Sequence, residues 1–157
     1  MEIKDCKIGI IYDHENSSWI SCNSILQNIL TSYQQTEIEW KFISLSNKFN
    51  DEQLADTAKQ TSNEKFTHLV FSDYRHSPEK LLSAIIKNGN HLPIVFIHIY
   101  GDFFLNRNLW KKSNTILKQF KTLFICASRA QASLLKHFIT SPFKDDIIKV
   151  IPFPISS

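Results

Sequence analysis

The stretch Lys7–Tyr12, which reads KIGIIY, decides the fold of this chain. A short β-branched run of this kind is typical of a parallel strand that is buried on both faces. Along the rest of the chain, apolar runs of strand length alternate with longer segments of helical periodicity. Five further strands are predicted, at residues 37–45, 67–72, 93–97, 122–127 and 147–151. Helices are predicted between them, at residues 19–30, 51–62, 78–87, 105–120 and 129–139.

Six strands that alternate with helices predict an α/β fold with a mainly parallel six-stranded sheet. Right-handed crossovers place the helices on the faces of such a sheet, so we expect a Rossmann-like three-layer α/β/α sandwich. The default strand order for this pattern is 3-2-1-4-5-6.

The last predicted strand is followed by Pro152-Phe153-Pro154. Two prolines so close together can continue neither a helix nor a central strand, and they stiffen the backbone into an extended spacer. We therefore expect residues 1–152 to form one lobe of a two-lobed enzyme, and residues 153–157 to begin the linker to a C-terminal lobe.

Composition excludes several classes of protein. A 157-residue chain with 43% hydrophobic residues is long and apolar enough to bury a core. Its net charge of +3 comes from 18 basic residues scattered among 15 acidic ones, which disfavours a nucleic-acid binder. The three cysteines are odd in number and form no CxxC, and no signal peptide or membrane-spanning run is present, so we expect a cytoplasmic protein with free thiols.

Ligands of open parallel sheets bind outside the carboxyl ends of the strands. The candidate binding residues are therefore the polar ones that follow each strand: Asn16, Ser17, Ser18, Asp73, His76, Tyr100, Gly101, Asp102, Ser128 and Arg129. Polar residues also follow strands simply because loops are exposed to solvent. Ser128 and Arg129 begin a predicted helix, whose N-terminal N–H groups favour an anion. Alternatively, Ser128 is present only because it caps that helix.

His98 is the candidate catalytic residue, since it ends the otherwise apolar run PIVFIH at residues 93–98. A histidine there could act as a base, donate a hydrogen bond to a developing charge or bind an anion. The alternative is a ring that only fixes a neighbouring loop carbonyl. Asp73 and His76 supply only two potential metal ligands from one turn, and they fit solvated loop residues better. Asp13, His14 and Glu15 look more like a metal or acid/base cluster, but nothing fixes their geometry, so no metal site is predicted.

Three stretches in the second half of the chain resemble a known family. They are Pro93–His98 (PIVFIH), Ile125–Gln131 (ICASRAQ) and Ile148–Ile155 (IKVIPFPI). In this order and spacing they resemble the N-terminal lobe of a glycosyltransferase of the two-Rossmann-domain type (GT-B), closest to the large retaining group called family 4 or group 1. Residues 16–19 (NSSW) stand where that family has paired glycines, and Phe153 stands where asparagine is commoner.

The resemblance implies an enzyme that moves a sugar from a nucleotide-sugar donor to a saccharide, lipid or protein acceptor. It implies no metal or cofactor, a C-terminal lobe that holds most donor contacts, and an isolated first lobe that is inactive. It places His98 beside the transferring sugar. The aromatic segment 100–110 could meet a sugar or lipid acceptor, including a peripheral contact with a membrane, or it could pack inward.

Two other readings stay open. One is a stand-alone binding or signalling module of receiver or flavodoxin type, since Asp13 and Glu15 after the first strand, with Asp73 after the third, suggest a phospho-acceptor pocket. Six strands exceed the usual five of such modules, and the loop after the fifth strand lacks a lysine. The other is a degenerate lobe that keeps the fold without catalysis.

Overall fold

The computed structural model describes residues 5–12, 31–32, 34–46, 48–71, 78–89, 91–99, 113–136 and 148–151. Its strands are β1 (Lys7–Tyr12), β2 (Glu39–Ser44), β3 (His68–Phe71), β4 (Ile94–Ile99), β5 (Thr122–Cys126) and β6 (Ile148–Val150). Its helices are α1 (Asp51–Asn63), α2 (Pro78–Asn88), α3 (113–117) and α4 (Arg129–Leu135). The predicted alternation is confirmed wherever the chain is described.

The six strands form one sheet in which every pairing is parallel. This confirms the predicted α/β class. The strand order is β2-β1-β3-β4-β5-β6, so the predicted order 3-2-1-4-5-6 is wrong at one edge. β3 lies beside β1, and β2 takes the edge position.

The difference in burial between β3 and β2 explains why β3 is an interior strand and β2 an edge strand. Three of the four residues of β3 are fully buried, as an interior strand requires. In contrast, β2 alternates charged and apolar residues, and only Ile43 among its six residues is buried. A strand with exposed charges suits an edge, where its outer side faces water.

The main core lies on one face of the sheet. The four described helices all pack on this face, and they contribute Leu54, Leu81, Leu117 and Leu135 among others to one apolar cluster with the sheet. Gly9 of β1 faces the same cluster, where a Cβ atom would lie 2.6 Å from Cδ1 of Ile43. Only glycine therefore lets the neighbouring side chains approach β1 this closely.

The opposite face carries a smaller cluster of Ile8, Ile10 and Val70, with Trp40 and Phe96 packed against it. The predicted helix over residues 19–30 belongs to the β1–β2 connection and lies outside the described residues. The described helices thus account for one covering layer of the predicted sandwich.

Local signals set the ends of the helices. Asn50 caps α1: its side chain accepts a hydrogen bond from the N–H of Gln53, and the Gln53 side chain accepts one from the N–H of Asn50. Pro78 begins α2, and Gly89, at φ +85°, follows its last turn, as the sequence predicted. Lys65 follows α1 in the same left-handed region, at φ 55°.

Candidate functional site

His98 lies within β4, one residue before the strand ends, rather than after it as predicted. In the sheet it pairs with Ile125 of β5, and its neighbour Ile97 pairs with Phe71, the last residue of β3. His98 is therefore one position beyond the last described pair of β3, at the carboxyl edge of the sheet. Because side chains alternate along a strand, it points away from the main core that Ile97 joins.

The surroundings of His98 keep its imidazole uncharged. Its Nδ1 atom is shielded from solvent, and within the described part of the chain it is the one buried side-chain nitrogen or oxygen without a hydrogen-bond partner. Burial lowers the pKa of His98 to about 4. At neutral pH the ring is therefore a neutral hydrogen-bonding group, and it is unsuited to bind an anion as a cation.

The other two described histidines differ from His98 in their partners. Nδ1 of His68 lies 2.8 Å from the hydroxyl oxygen of Thr67, and Nε2 of His91 lies 3.1 Å from the carbonyl oxygen of Phe66. Both lie near the amino-terminal edge of the sheet, where β3 and β4 begin. Burial, followed by the charge of Lys121, lowers the pKa of His68. Both rings fit a structural role, whereas His98 has a hydrogen-bonding capacity that the described chain leaves unused.

Cys126 lies at the same edge as His98 but is excluded as its nucleophilic partner. It pairs with Ile99, so it points to the opposite face of the sheet from His98. The thiol is fully buried, and burial raises its pKa to about 11. A buried neutral thiol is chemically inert.

Ser128 and Arg129 follow β5 at this edge. The hydroxyl of Ser128 accepts a hydrogen bond from the N–H of Gln131 at 3.2 Å, and the Gln131 side chain accepts one from the N–H of Ala127 at 3.0 Å. Ser128 is thus the N-cap of α4, which is the alternative that the sequence left open. Arg129 is exposed at the first position of that helix. Their role in ligand binding stays a prediction.

The remaining predicted site residues lie outside the described residues. They are Asn16, Ser17, Ser18, Asp73, His76, Tyr100, Gly101 and Asp102. Among the side chains that are described, no group of three His, Cys, Asp or Glu residues could hold a metal ion. No described helix is long and apolar enough to cross a membrane.

One contact at this edge was not singled out from the sequence. Ser113, the first described residue of α3, is 1% exposed, and its hydroxyl donates a hydrogen bond to Oε2 of Glu79 at 3.2 Å. The contact ties the beginning of α2 to α3, the helices that follow β3 and β4. One signal for it was present, since Glu79 follows the predicted helix start at Pro78, but nothing in the chain indicated Ser113 as its partner.

A cavity of about 600 Å³ lies elsewhere, between α1 and α2. Phe49, Leu54 and Ala84 form its apolar part, and the charged groups at its rim include Asp51 and Lys80. None of the predicted site residues lines it. Glu79, which accepts the hydrogen bond from Ser113, also lines the cavity, so the cavity lies on the helix-covered face of the sheet, and His98 lies on the opposite face.

Comparison with known proteins adds no relative. No protein-family model, no curated protein and no solved structure matches this chain.

Proposed function

We propose that this chain is the acceptor-side lobe of a GT-B glycosyltransferase, which transfers a sugar from a nucleotide-sugar donor to a saccharide, lipid or protein acceptor. The observation that carries the proposal is the neutral imidazole of His98, whose buried Nδ1 has no hydrogen-bond partner, at the carboxyl edge of a parallel sheet. It lies within the stretch PIVFIH that resembles the family. In this proposal a C-terminal lobe follows the linker 153–157, the enzyme is cytoplasmic, and no metal or cofactor takes part.

The uncharged state of His98 limits the chemical roles that its side chain can have in sugar transfer. A group with a pKa of about 4 is a weak base at neutral pH, and as a neutral ring it gives little help to a leaving diphosphate. A neutral imidazole still donates one hydrogen bond and accepts another. In this proposal His98 binds a sugar or acceptor hydroxyl and orients it for transfer, a contribution that comes from positioning rather than from proton transfer.

The test is a thermal-shift screen of nucleotide-sugars against the full-length protein. We expect at least one donor to raise the melting temperature, because a ligand that binds only the folded state stabilises it. His98→Ala should then lower the turnover of that donor strongly and leave the melting temperature of the free protein near wild type. His91→Ala is the matched control, since His91 is an exposed histidine at the other edge of the sheet.

The screen also has a result that contradicts the proposal. If the full-length protein binds no nucleotide-sugar, the hypothesis of a degenerate lobe without catalysis is favoured over that of an enzyme. If His98→Ala loses stability and turnover together, the histidine is structural. Sugar transfer by the 157-residue chain alone would contradict the requirement for a second lobe.

A second candidate function gains support from the strand order. Five adjacent strands follow the order 2-1-3-4-5, which is that of small flavodoxin- and receiver-type modules, with the ligand crevice between β1 and β3. A receiver-type module would bind Mg²⁺ with beryllofluoride, a phosphoryl mimic, at Asp13 and Asp73. A thermal shift of the 157-residue chain with this pair, lost in Asp73→Asn, would favour the signalling module over the transferase.

A further inference from the structure

The cavity of about 600 Å³ between α1 and α2 takes no part in the function proposed above. It lies beside the first two turns of α1 and extends along α2 from the first turn of that helix to its last residue. Cavities of roughly 300–1,000 Å³ that combine an apolar lining with a few polar groups are typical of small-molecule sites. The space is therefore sufficient for a small organic ligand.

One part of the cavity lining is apolar. Leu54 of α1 belongs to the main core, and Phe49 and Ala84 are partly buried residues that pack against it. The side chain of Ala84 is a single methyl group, which leaves space between the two helices. An apolar group that entered this space would be removed from water, which is favourable.

The other part of the lining is a polar face of α2 that carries Lys80, Ser83 and Lys87. These residues stand at positions i, i+3 and i+7, so they share one face of the helix. Along the helix axis Ser83 lies about 4.5 Å from Lys80 and about 6 Å from Lys87. Both lysines are exposed, and within the described part of the chain neither forms an ion pair. The serine hydroxyl is thus flanked by two positive charges.

The position of Lys80 is electrostatically unfavourable in the chain by itself. It is the third residue of α2, and the first turn of a helix carries a partial positive charge that disfavours a cation. The preceding residue, Glu79, does not compensate it, because adjacent residues of a helix do not face each other and the Glu79 carboxylate accepts the hydrogen bond of Ser113. An anion in the cavity would supply the missing counter-charge.

The acidic residues at the cavity are stabilised in other ways. Asp51 lies in the first turn of α1, where the helix dipole favours a negative charge. Glu79 has the hydroxyl of Ser113 as its partner. Lys80 and Lys87 are therefore the charged groups at the cavity that a ligand would complement.

We propose that this cavity binds an amphipathic anion, a small molecule with one carboxylate, sulfonate or phosphate group and an apolar chain or ring. The anionic group accepts a hydrogen bond from the Ser83 hydroxyl and lies between Lys80 and Lys87. The apolar part lies against Leu54 and Ala84. Because His98 lies on the opposite face of the sheet, the proposal does not depend on sugar transfer.

The test uses anilinonaphthalene sulfonate, an aromatic anion whose fluorescence rises when it leaves water, titrated into the 157-residue chain. We expect Lys80→Gln and Lys87→Gln each to weaken binding about fivefold, since each removes one charge contact. Ala84→Leu should fill the cavity and abolish binding. The matched controls are Lys59→Gln and Ala130→Leu, which change exposed helical residues away from the cavity and should bind like wild type.

Competition tests the charge of the ligand. Decanoate should displace the probe, whereas decanol and decyltrimethylammonium, which share its apolar chain but lack the negative charge, should not.

Three results would overturn the inference. The first is the absence of probe binding to the wild-type chain. The second is equal affinity in Lys80→Gln, Lys87→Gln and Lys59→Gln, which would place the probe elsewhere. The third is displacement by decanol as effective as that by decanoate. If Ala84→Leu fails to fold, the lysine variants decide alone, because both lysines are exposed and their melting temperatures should match wild type.

Discussion

His98 lowers the stability of the folded chain, because its buried Nδ1 has no hydrogen-bond partner. Such an atom costs on the order of 1–3 kcal/mol, while an apolar side chain of similar size has no polar atom to satisfy. We therefore expect His98→Leu to raise the free energy of unfolding by about 1 kcal/mol. Urea unfolding at pH 7 measures the change.

His68→Leu is the matched control for this substitution. His68 lies on the next strand, on the same face of the sheet, but its Nδ1 has the Thr67 hydroxyl as a partner. We expect this variant to gain no stability. If His98→Leu destabilised the chain as much as His68→Leu does, the imidazole of His98 would have a structural partner and its place in a ligand site would be lost.

Lys65 has a backbone conformation that suits glycine. It lies just after α1 at φ 55°, where a Cβ atom approaches the backbone and costs roughly 1–2 kcal/mol. Lys65→Gly should therefore raise the free energy of unfolding by up to about 1 kcal/mol, since the flexibility of glycine in the unfolded chain offsets part of the gain. Chemical denaturation of the 157-residue chain is the measurement.

Lys59→Gly provides the contrast, because Lys59 is also exposed but has helical backbone in the interior of α1. Glycine in a helix interior costs about 1 kcal/mol, so this variant should lose stability while Lys65→Gly gains it. A loss in both variants would show that Lys65 is not strained.

The capping box of α1 is the clearest case of an element whose start is set by two side chains. The hydrogen bonds of Asn50 and Gln53 to each other's backbone N–H are 2.8 Å and 2.9 Å long. Asn50→Ala removes the cap and should lower the free energy of unfolding by about 1 kcal/mol. Asn63→Ala, an exposed residue in the last turn of the same helix, should change it by less than half as much; equal losses would mean that the cap contributes nothing specific.

The type of each described element could be predicted from the sequence, but the neighbours of β3 could not. The run HLVF at residues 68–71 is apolar enough to predict burial, and its three fully buried residues confirm it. The strand beside β3 depends on how many strand positions the β2–β3 crossover spans. That number cannot be predicted from the local sequence. The exposed charges of β2, Glu39 and Lys41, were the available signal, since they suit an edge strand.

The candidate site could be predicted only in outline. The sequence placed His98 near the carboxyl edge, and the structure puts it there with Nδ1 unpartnered. The uncharged state of the ring could not be foreseen, because it arises from burial of the side chain in the folded chain. The inert character of Cys126 has the same origin, since only the strand register shows which face its thiol occupies.

The same burial makes the stability of the whole chain depend on pH. The pKa of His98 is about 4 in the folded state, below its ordinary value of 6.5, so the unfolded chain binds the proton more readily. Stability is then complete above pH 6.5 and falls as the pH drops towards 4. Glu64 acts at lower pH: hydrogen bonds from Lys7 and Lys41 lower its pKa below 4.5, so its contribution is lost only below that value.

The pH ranges in which His98 and Glu64 affect stability can be separated by substitution. Urea unfolding between pH 7 and 5 should show a loss of stability that His98→Leu largely removes, because the group that takes up the proton is gone. Among the described residues, His68, whose pKa is also lowered, contributes to the remaining slope in this range. Glu64→Gln should leave the slope between pH 7 and 5 unchanged and flatten the curve only below pH 4.5. An unaltered slope in His98→Leu would mean that the His98 ring is exposed to solvent. It would contradict the hypothesis that His98 is a desolvated imidazole in a ligand site.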